Sequence, residues 1–523
     1  MGSSFVKQAA ILGIASLMVR LIGFLYRLPM TNLLGDEGMG FYTRAYHIYA
    51  FVVVISSGAL PASISRLVSE RTAKNQYKNA HELFKTAMGF ALVIGISIAL
   101  VMSIFANSIA LSFDMPESAI AIRILAPTII VVGVLAVFRG YFQGMKTTVP
   151  TAVSQVIEQI FNVVFTVALA YIFFDAANLQ YSVAGGAAGT AIGAIAGVSV
   201  VAGFYFAISK NYRKDTSFND SFTETRRSQV VVILKTSLPI IMGMGVYSLG
   251  TIIDFGMASN LMAIYFTESE INALVGGQFT NKFLLLTTLP VALSMALSAA
   301  VIPDITTSQV KMDMDAIKRK ANMALRVSMM LTIPAAVGLS VMADQIIALL
   351  FPAHPDGGWL LRYGAISIVF IAMVQIFTGV FQGIGKASIP VIGAAIGVAT
   401  KIPVNYFLIQ IPQINILGAV ISTIVCYLVA TIINIIFLRK YTGITPKFGQ
   451  AIIKPTIAAA GMGVVVYGAY FGLSLIAPAQ FATVIALGVG MCAYMLLMAV
   501  IKGFNPDDVR ALPMPARVKR WLC

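Results

Sequence analysis

Phe138-Arg139-Gly140-Tyr141-Phe142-Gln143-Gly144, followed by Lys146 and Pro150, returns later in the chain as Phe377-Thr378-Gly379-Val380-Phe381-Gln382-Gly383, followed by Lys386 and Pro390. Agreement at so many positions is specific, and recurrence at a long period marks a duplicated structural unit. Each copy closes an apolar stretch, so the unit is built from apolar helices. Two weaker echoes carry the same offset in helices. Leu60-Pro61…Ser65 matches Leu289-Pro290…Ser294, and Gly185…Thr190 matches Gly418…Thr423.

Outward from the repeat, apolar runs of about 20 residues, enough to cross ~30 Å of hydrocarbon, recur along the whole chain. They lie near 5–28, 44–66, 86–107, 120–143, 150–174, 184–208, 232–257, 279–303, 324–350, 362–384, 388–410, 416–438, 452–473 and 479–501. The expected fold class is an all-α polytopic membrane protein with about fourteen transmembrane helices. Composition points the same way: 58% of residues are hydrophobic and 11% charged, with a mean hydropathy of +0.87. A soluble domain carries roughly 25% charged residues. The first segment contains Arg20 and Arg27 and lacks a signal-peptide cleavage pattern, so it reads as a retained span.

Charge sets the orientation. The net charge is +15, and the basic residues of the loops fall in alternate ones. Arg66…Lys85, Arg139…Lys146, Lys210…Lys235, Lys311…Lys320, Lys386, Arg439…Lys454 and Lys502…Arg520 fall on one side. The loops between them, such as Asn107–Ala119, Asp175–Val183, Asn260–Gln278 and Phe351–Leu361, contain no lysine or arginine. By the positive-inside rule both termini are expected in the cytoplasm. The basic residues therefore orient the chain in a membrane, and no nucleic-acid partner is expected. An even helix offset between the copies gives them one orientation. The expected plan is two pseudo-symmetric six-helix lobes plus two C-terminal helices. The N-terminal lobe covers 1–210, a cytoplasmic linker 211–230, the C-terminal lobe 231–440, and the last two helices with the tail 441–523. Parallel repeats of this kind are a recurring transporter plan, with substrate between lobes that rock.

Ionisable residues inside spans cost at least ~2.5–3.5 kcal/mol and normally face a cavity or a partner. Arg20, Arg27, Arg44, Arg123, Glu158, Asp254, Lys282, Arg362 and Lys401 are the candidates. Arg123 and Arg362 stand at span ends, where snorkelling to headgroups suffices. The repeat aligns Gly23…Arg27 with Gly250…Asp254 and Glu158…Asn162 with Lys401…Asn405, inverting the charge between lobes. A buried Asp254–Lys401 contact follows as an expectation, with Asn405 and Thr423 nearby. In the other lobe, depth at 1.5 Å per residue favours Arg20 over Arg27 as the partner of Glu158. Arg27, Arg44 and Lys282 then remain as cations facing the lobe interface, which wants an anion. Guanidinium groups suit phosphate through paired parallel hydrogen bonds. The glycines Gly185, Gly186, Gly189, Gly193 and Gly197 form a small-residue face that allows close helix approach.

These residues carry a family resemblance. Arg20-Leu-Ile-Gly23-Phe-Leu-Tyr26-Arg27-Leu-Pro29, Gly35…Gly38…Gly40-Phe-Tyr42, Gly58-Ala-Leu-Pro61…Ser65-Arg66-Leu-Val-Ser-Glu70 and both FxGxFQG segments resemble the polysaccharide-transport branch of the multidrug/oligosaccharidyl-lipid/polysaccharide exporter superfamily. Within it the chain looks like the SpoVB/YtgP group of MurJ-like lipid II flippases. The resemblance implies a central cationic cavity and flipping of an undecaprenyl-pyrophosphate-linked glycan, most naturally lipid II, from inner to outer leaflet of the bacterial plasma membrane. It implies an arginine of the first span on the pyrophosphate, with Arg20 and Arg27 at the matching positions, and a lipid-tail groove shaped by the last two helices. A largely monomeric protein in contact with membrane lipids and cell-wall synthesis machinery is expected. The chain departs from relatives that carry arginines before the small-residue turn of span 2, where it reads Phe51-Val-Val-Val-Ile55. Sodium-binding relatives use the place beside Asp254 into which Lys401 projects, so no sodium site is expected and membrane potential or protons are the expected drive.

Other readings are another lipid-linked polysaccharide or a spore-wall precursor as cargo, or a MATE-type drug/cation antiporter, which would want an acidic cavity. A membrane enzyme needs positioned carboxylates or a histidine at a membrane face. The chain has no DxD cluster, its histidines His47, His81 and His354 are scattered, and Cys426, Cys492 and Cys523 show no metal-ligand spacing. No enzyme, metal or cofactor is expected.

Overall fold

A computed structural model of the chain describes residues 15–16, 18–112, 116–175, 178–215, 224–443 and 448–503. Within them the secondary structure is helical, without strands. Eleven helices are long and apolar enough to cross a membrane, or twelve if Gly358–Gly364 and Ser367–Gly383, bent by 53° at a break, form one span. The chain is an all-α, multi-pass membrane protein. Of the span expected at 5–28, residues 5–14 and 17 lie outside the described residues. The one expected at 232–257 falls within the helix Arg226–Met262.

Two stretches read as loops are helical. Residues between the first two expected spans join the helix Arg27–Val53, interrupted only at Gly35, whose φ of 69° requires a glycine. Pro29 sits in the first turn, where its missing N–H breaks no helical bond. The outer loop expected at 260–278 contains a second case. Thr267 and Glu270 form a reciprocal capping box that starts the helix Glu268–Ile271, which runs on as a π-helix over Asn272–Leu284 and then as Leu285–Val310.

The chain divides into compact units after Gly277. That boundary lies beyond the linker expected at 211–230, whose residues 216–223 fall outside the described part. The helix Arg226–Met262 groups with the first unit because it packs on Leu60–Ala73 and Tyr77–Ile104. Near its start Arg71 donates to Glu224 at 2.5 Å, and Thr86 to Gln229 at 2.5 Å.

In the first unit the repeated glycines act as contact points. A methyl on Gly140 would lie 2.9 Å from the Pro61 carbonyl, and one on Gly144 2.9 Å from the Ser65 carbonyl and 2.6 Å from Val68 Cβ. The Ser69 hydroxyl donates to the Gly144 carbonyl at 3.0 Å. The helices Val149–Ile172 and Leu179–Asp215 meet along the glycine face expected from sequence. Gly185 faces the Leu169 carbonyl at 2.6 Å, Gly189 faces Thr166, and Gly193 faces the Glu158 carbonyl at 2.7 Å, each measured from a methyl placed on the glycine.

The second unit repeats the pattern internally. Gly379 faces the Ser298 carbonyl at 2.8 Å, and Gly383 faces the Ile302 carbonyl at 3.2 Å and Ile305 at 2.7 Å. The Thr306 hydroxyl donates to the Gly383 carbonyl at 3.2 Å. Crossing for crossing, Pro61 corresponds to Ser298, Ser65 to Ile302 and Ser69 to Thr306. The Pro61–Pro290 echo is therefore a correction: Pro290 stands about two helical turns before the true counterpart. Two turns preserve the helix face, which is why the false register looked plausible.

Candidate functional site

In the first unit Tyr26 separates two helical stretches and Arg27 opens the second. The Arg27 guanidinium lies beside the Tyr26 phenol, with the Tyr42 and Tyr46 phenols within reach of its charge. Tyr42 and Tyr46 share one helix face and stack at 6.2 Å. Tyr42 also lies against Gly186, where a methyl would come within 3.3 Å of its ring. The glycine face thus leaves room for the tyrosine that lines Arg27.

Glu158 carries Arg139 as its ion-pair partner, at 2.6 Å. From sequence, Arg20 is the expected partner and Arg139 belongs to a cytoplasmic loop. Arg139 occupies instead the last turns of the helix Thr128–Gly144, where its Nε also donates to the Ser154 hydroxyl at 3.0 Å. Glu158 and Ser154 are one turn apart on the facing helix, so a single guanidinium spans both. Arg20 is exposed on its own helix, one turn from Gly23, where a methyl would lie 3.3 Å from Gln159. Beyond Glu158 a polar ladder continues. Thr166 donates to Asn162 at 2.9 Å and to the Gly186 carbonyl at 3.1 Å, and Thr190 to Asn162 at 3.5 Å.

In the second unit the buried Lys401 ammonium donates to the Thr423 hydroxyl at 3.1 Å, and Asn405, one turn on, is fully buried. Thr423 corresponds to Thr190, which meets Asn162. By this register Lys401 stands in the place of Asn162, one turn from that of Glu158, so the charge inversion read from the alignment is corrected. Asp254 is buried in the first unit.

Lys282, expected among the substrate cations, is placed otherwise. It is fully buried, and its Nζ donates to the His354 and Asp356 carbonyls at 2.7 and 2.8 Å, over the Phe351 ring at 5.5 Å. Two carbonyls and an aromatic face satisfy the ammonium where it stands. Lys282 anchors the 351–358 loop and leaves the set of substrate ligands. Arg44, also buried, lines a cavity of about 210 Å³ in the first unit together with Ser259, Phe266, Glu268 and Asn272. Metal-binding groups of histidine, cysteine, aspartate or glutamate do not occur among the described residues.

The polysaccharide biosynthesis protein family matches residues 5–309, more than half of the chain. The chain belongs to that family. It is 25% identical over 527 residues to the uncharacterized membrane protein YabM of Bacillus subtilis, covering 99% of this chain and 96% of that one. With the lipid II flippase MurJ of the same organism the identity is 25% over 486 residues, covering 87% and 86%. A solved structure of a lipid II flippase MurJ in an inward closed conformation superposes with a TM-score of 0.71 at 17% identity, covering 94% of this chain and 98% of that one. That likeness shows the same fold over nearly the whole chain.

Sequence reasoning missed Arg139 and the phenols around Arg27. The phenols were legible in principle, because Tyr42, Tyr46 and Tyr49 recur at helical spacing.

Proposed function

We propose that the protein is a transporter that flips a polyprenyl-pyrophosphate-linked cell-wall glycan, most directly lipid II, from the inner to the outer leaflet of the bacterial plasma membrane. The observation that supports this is Arg27: a guanidinium inside an apolar helical bundle, lined by phenols, while the neighbouring acid Glu158 is engaged by Arg139. Phenols orient a guanidinium through hydrogen bonds but do not cancel its charge, so an anionic guest gains from both the charge and the paired N–H donors. A pyrophosphate supplies matching oxygens. Membership in the family and the named activity of a relative that covers most of the chain agree with such a cargo.

In this reading Arg27 contacts the pyrophosphate, with Arg20 and Arg44 adding cationic potential along the path. Both termini lie in the cytoplasm, as the loop charges require. Two lobes rock to expose the site to each leaflet in turn. The glycine crossings keep each lobe rigid, which such a motion needs. The chemistry is binding and release, so the protein acts as a carrier and not as an enzyme.

The test is reconstitution of the purified protein in liposomes that carry a fluorescent undecaprenyl-pyrophosphate glycan. The expected result is protein-dependent appearance of the glycan in the opposite leaflet, slowed by about tenfold or more in Arg27→Ala. Equal flipping by wild type and Arg27→Ala, or none by either, contradicts the reading.

A further inference from the structure

A pyrophosphate diester carries one negative charge on each phosphate, and Arg27 offers a single positive one. A second group able to become a cation borders that site. His47 stands on the helix Arg27–Val53, next in the chain to Tyr46, whose ring stacks on Tyr42 beside Arg27. Its imidazole is half-buried and packs on Phe255 of the helix Arg226–Met262, with ring centroids 5.1 Å apart. The Arg27 guanidinium lies within reach of the ring. Imidazole is the side chain that ordinarily gains or loses its charge near neutral pH.

The other charges of the neighbourhood are committed elsewhere. Glu158 on Val149–Ile172 reaches the phenols of Tyr46 and Tyr49, and Arg139 of Thr128–Gly144 pairs with it. Asp254, next to Phe255, is buried and already engaged, as is Arg44 one turn before His47. Leu179–Asp215 carries no charged residue before Lys210, and Val54–Gly58 carries none. On the outer side Arg123 is exposed and donates to Asn107. Glu117 lies beside Ser118, whose hydroxyl donates to the Phe41 carbonyl, six residues before His47.

We propose, on the reading that Arg27 holds a pyrophosphate, that His47 is a second ligand of that anion, binding it as an imidazolium after taking up a proton from water. A nearby anion favours the charged form of an imidazole, so the cargo itself draws the proton in. The ring N–H then donates a charge-assisted hydrogen bond to a phosphate oxygen. Guanidinium and imidazolium together balance the two phosphates. The loaded site then crosses the apolar bundle without the net charge that such surroundings penalise. When the glycan leaves, the ring nitrogen returns its proton to water. Binding of the cargo is thus linked to a proton, and its affinity falls as pH rises.

The experiment is calorimetric titration of the purified full-length chain in lipid nanodiscs with a water-soluble citronellyl-pyrophosphate N-acetylglucosamine. That probe is a diester and keeps both charges across neutral pH, so any proton taken up goes to the protein. Titration at about pH 7 in two buffers of different ionisation heat counts those protons. Wild type is expected to take up more than about half a proton per probe bound, and to bind about tenfold weaker at pH ~8 than at pH ~6. His47→Gln is expected to abolish the uptake and to weaken binding about tenfold at pH ~7. His47→Lys carries a fixed charge, and is expected to bind without uptake and with little dependence on pH. Binding that weakens in Arg27→Ala but brings no proton to wild type overturns the role of His47 and leaves Arg27 its own. Uptake that persists in both His47 variants does the same. No binding by wild type, or equal binding by Arg27→Ala, overturns both assignments.

Discussion

The Arg139 guanidinium meets the Glu158 carboxylate at 2.6 Å across the crossing of two adjacent membrane helices. The pair decides what surrounds Arg27, because the acid that symmetry would have offered to a first-span arginine already has a cation. Removing one partner of a buried pair costs more than the pair contributes, since the other charge is left without compensation. Arg139 is mostly buried and Glu158 about a quarter exposed, at 14% and 26%. Arg139→Gln and Glu158→Gln are each expected to cost about 2 kcal/mol, below the ~3–5 kcal/mol of a fully buried pair. The double variant is expected to lose less than the two singles together. Thermal melts in detergent check both values.

Close glycine approach and idle glycine are separable by experiment. A methyl on Gly276 would fall inside the contact radius of Gly40 Cα, whereas one on Gly256 would meet nothing within 4 Å. Gly276→Ala is expected to cost about 1–3 kcal/mol through overpacking. Gly256→Ala is expected to gain up to about 1 kcal/mol through helix propensity. A melt of each variant against wild type reads the opposite signs.

Acid should loosen one helix start specifically. The Glu270 carboxylate accepts hydrogen bonds from the Thr267 backbone N–H at 2.8 Å and the Thr267 hydroxyl at 2.9 Å. Protonation of that carboxylate removes the acceptor on which the reciprocal cap depends. Amides at 268–271 are therefore expected to exchange faster as pH drops below about 4.5, after correction for intrinsic rates. Glu270→Gln is expected to remove that pH dependence.

Lys401 offers a test of the corrected register. Its ammonium is buried and bonded to the Thr423 hydroxyl. Thr423→Val deletes a buried acceptor for a charged donor and is expected to cost about 1–3 kcal/mol. Thr190→Val, at the corresponding place facing the neutral Asn162 over 3.5 Å, is expected to cost less than about 1 kcal/mol. Equal losses in paired melts would contradict the assignment of Lys401 to the place of Asn162.

Much of the architecture was legible because it rests on one-dimensional signals. Apolar runs reveal helices, and glycines four residues apart reveal where helices touch. The helix after Thr267 also had its signal, the T-x-x-E of a capping box, hidden inside what hydropathy marked as an outer loop. The site was less legible, for physical reasons. Lys282 is satisfied by backbone carbonyls of His354 and Asp356, and carbonyls leave no mark in a sequence. Arg139 was assigned by its place near a span end, yet its side chain turns inward to Glu158. The repeat found the right helices but slipped by about two turns at Pro61 and one at Glu158, since slips of whole turns keep the helix face and only packing separates them.

The guanidinium of Arg27 is the group on which transport is expected to depend. Each charge-assisted hydrogen bond lost is worth ~1.5–3 kcal/mol, so Arg27→Ala should slow flipping by about ten- to a hundredfold. Arg27→Lys should fall between, because it keeps the charge and loses the fork.

The most direct test is depletion of the protein in its own bacterium, with lipid II quantified by leaflet through its accessibility to externally added probes. Accumulation in the inner leaflet with loss of the outer pool, restored by wild type and not by Arg27→Ala, is the predicted result. An unchanged distribution of lipid II across the two leaflets would contradict it.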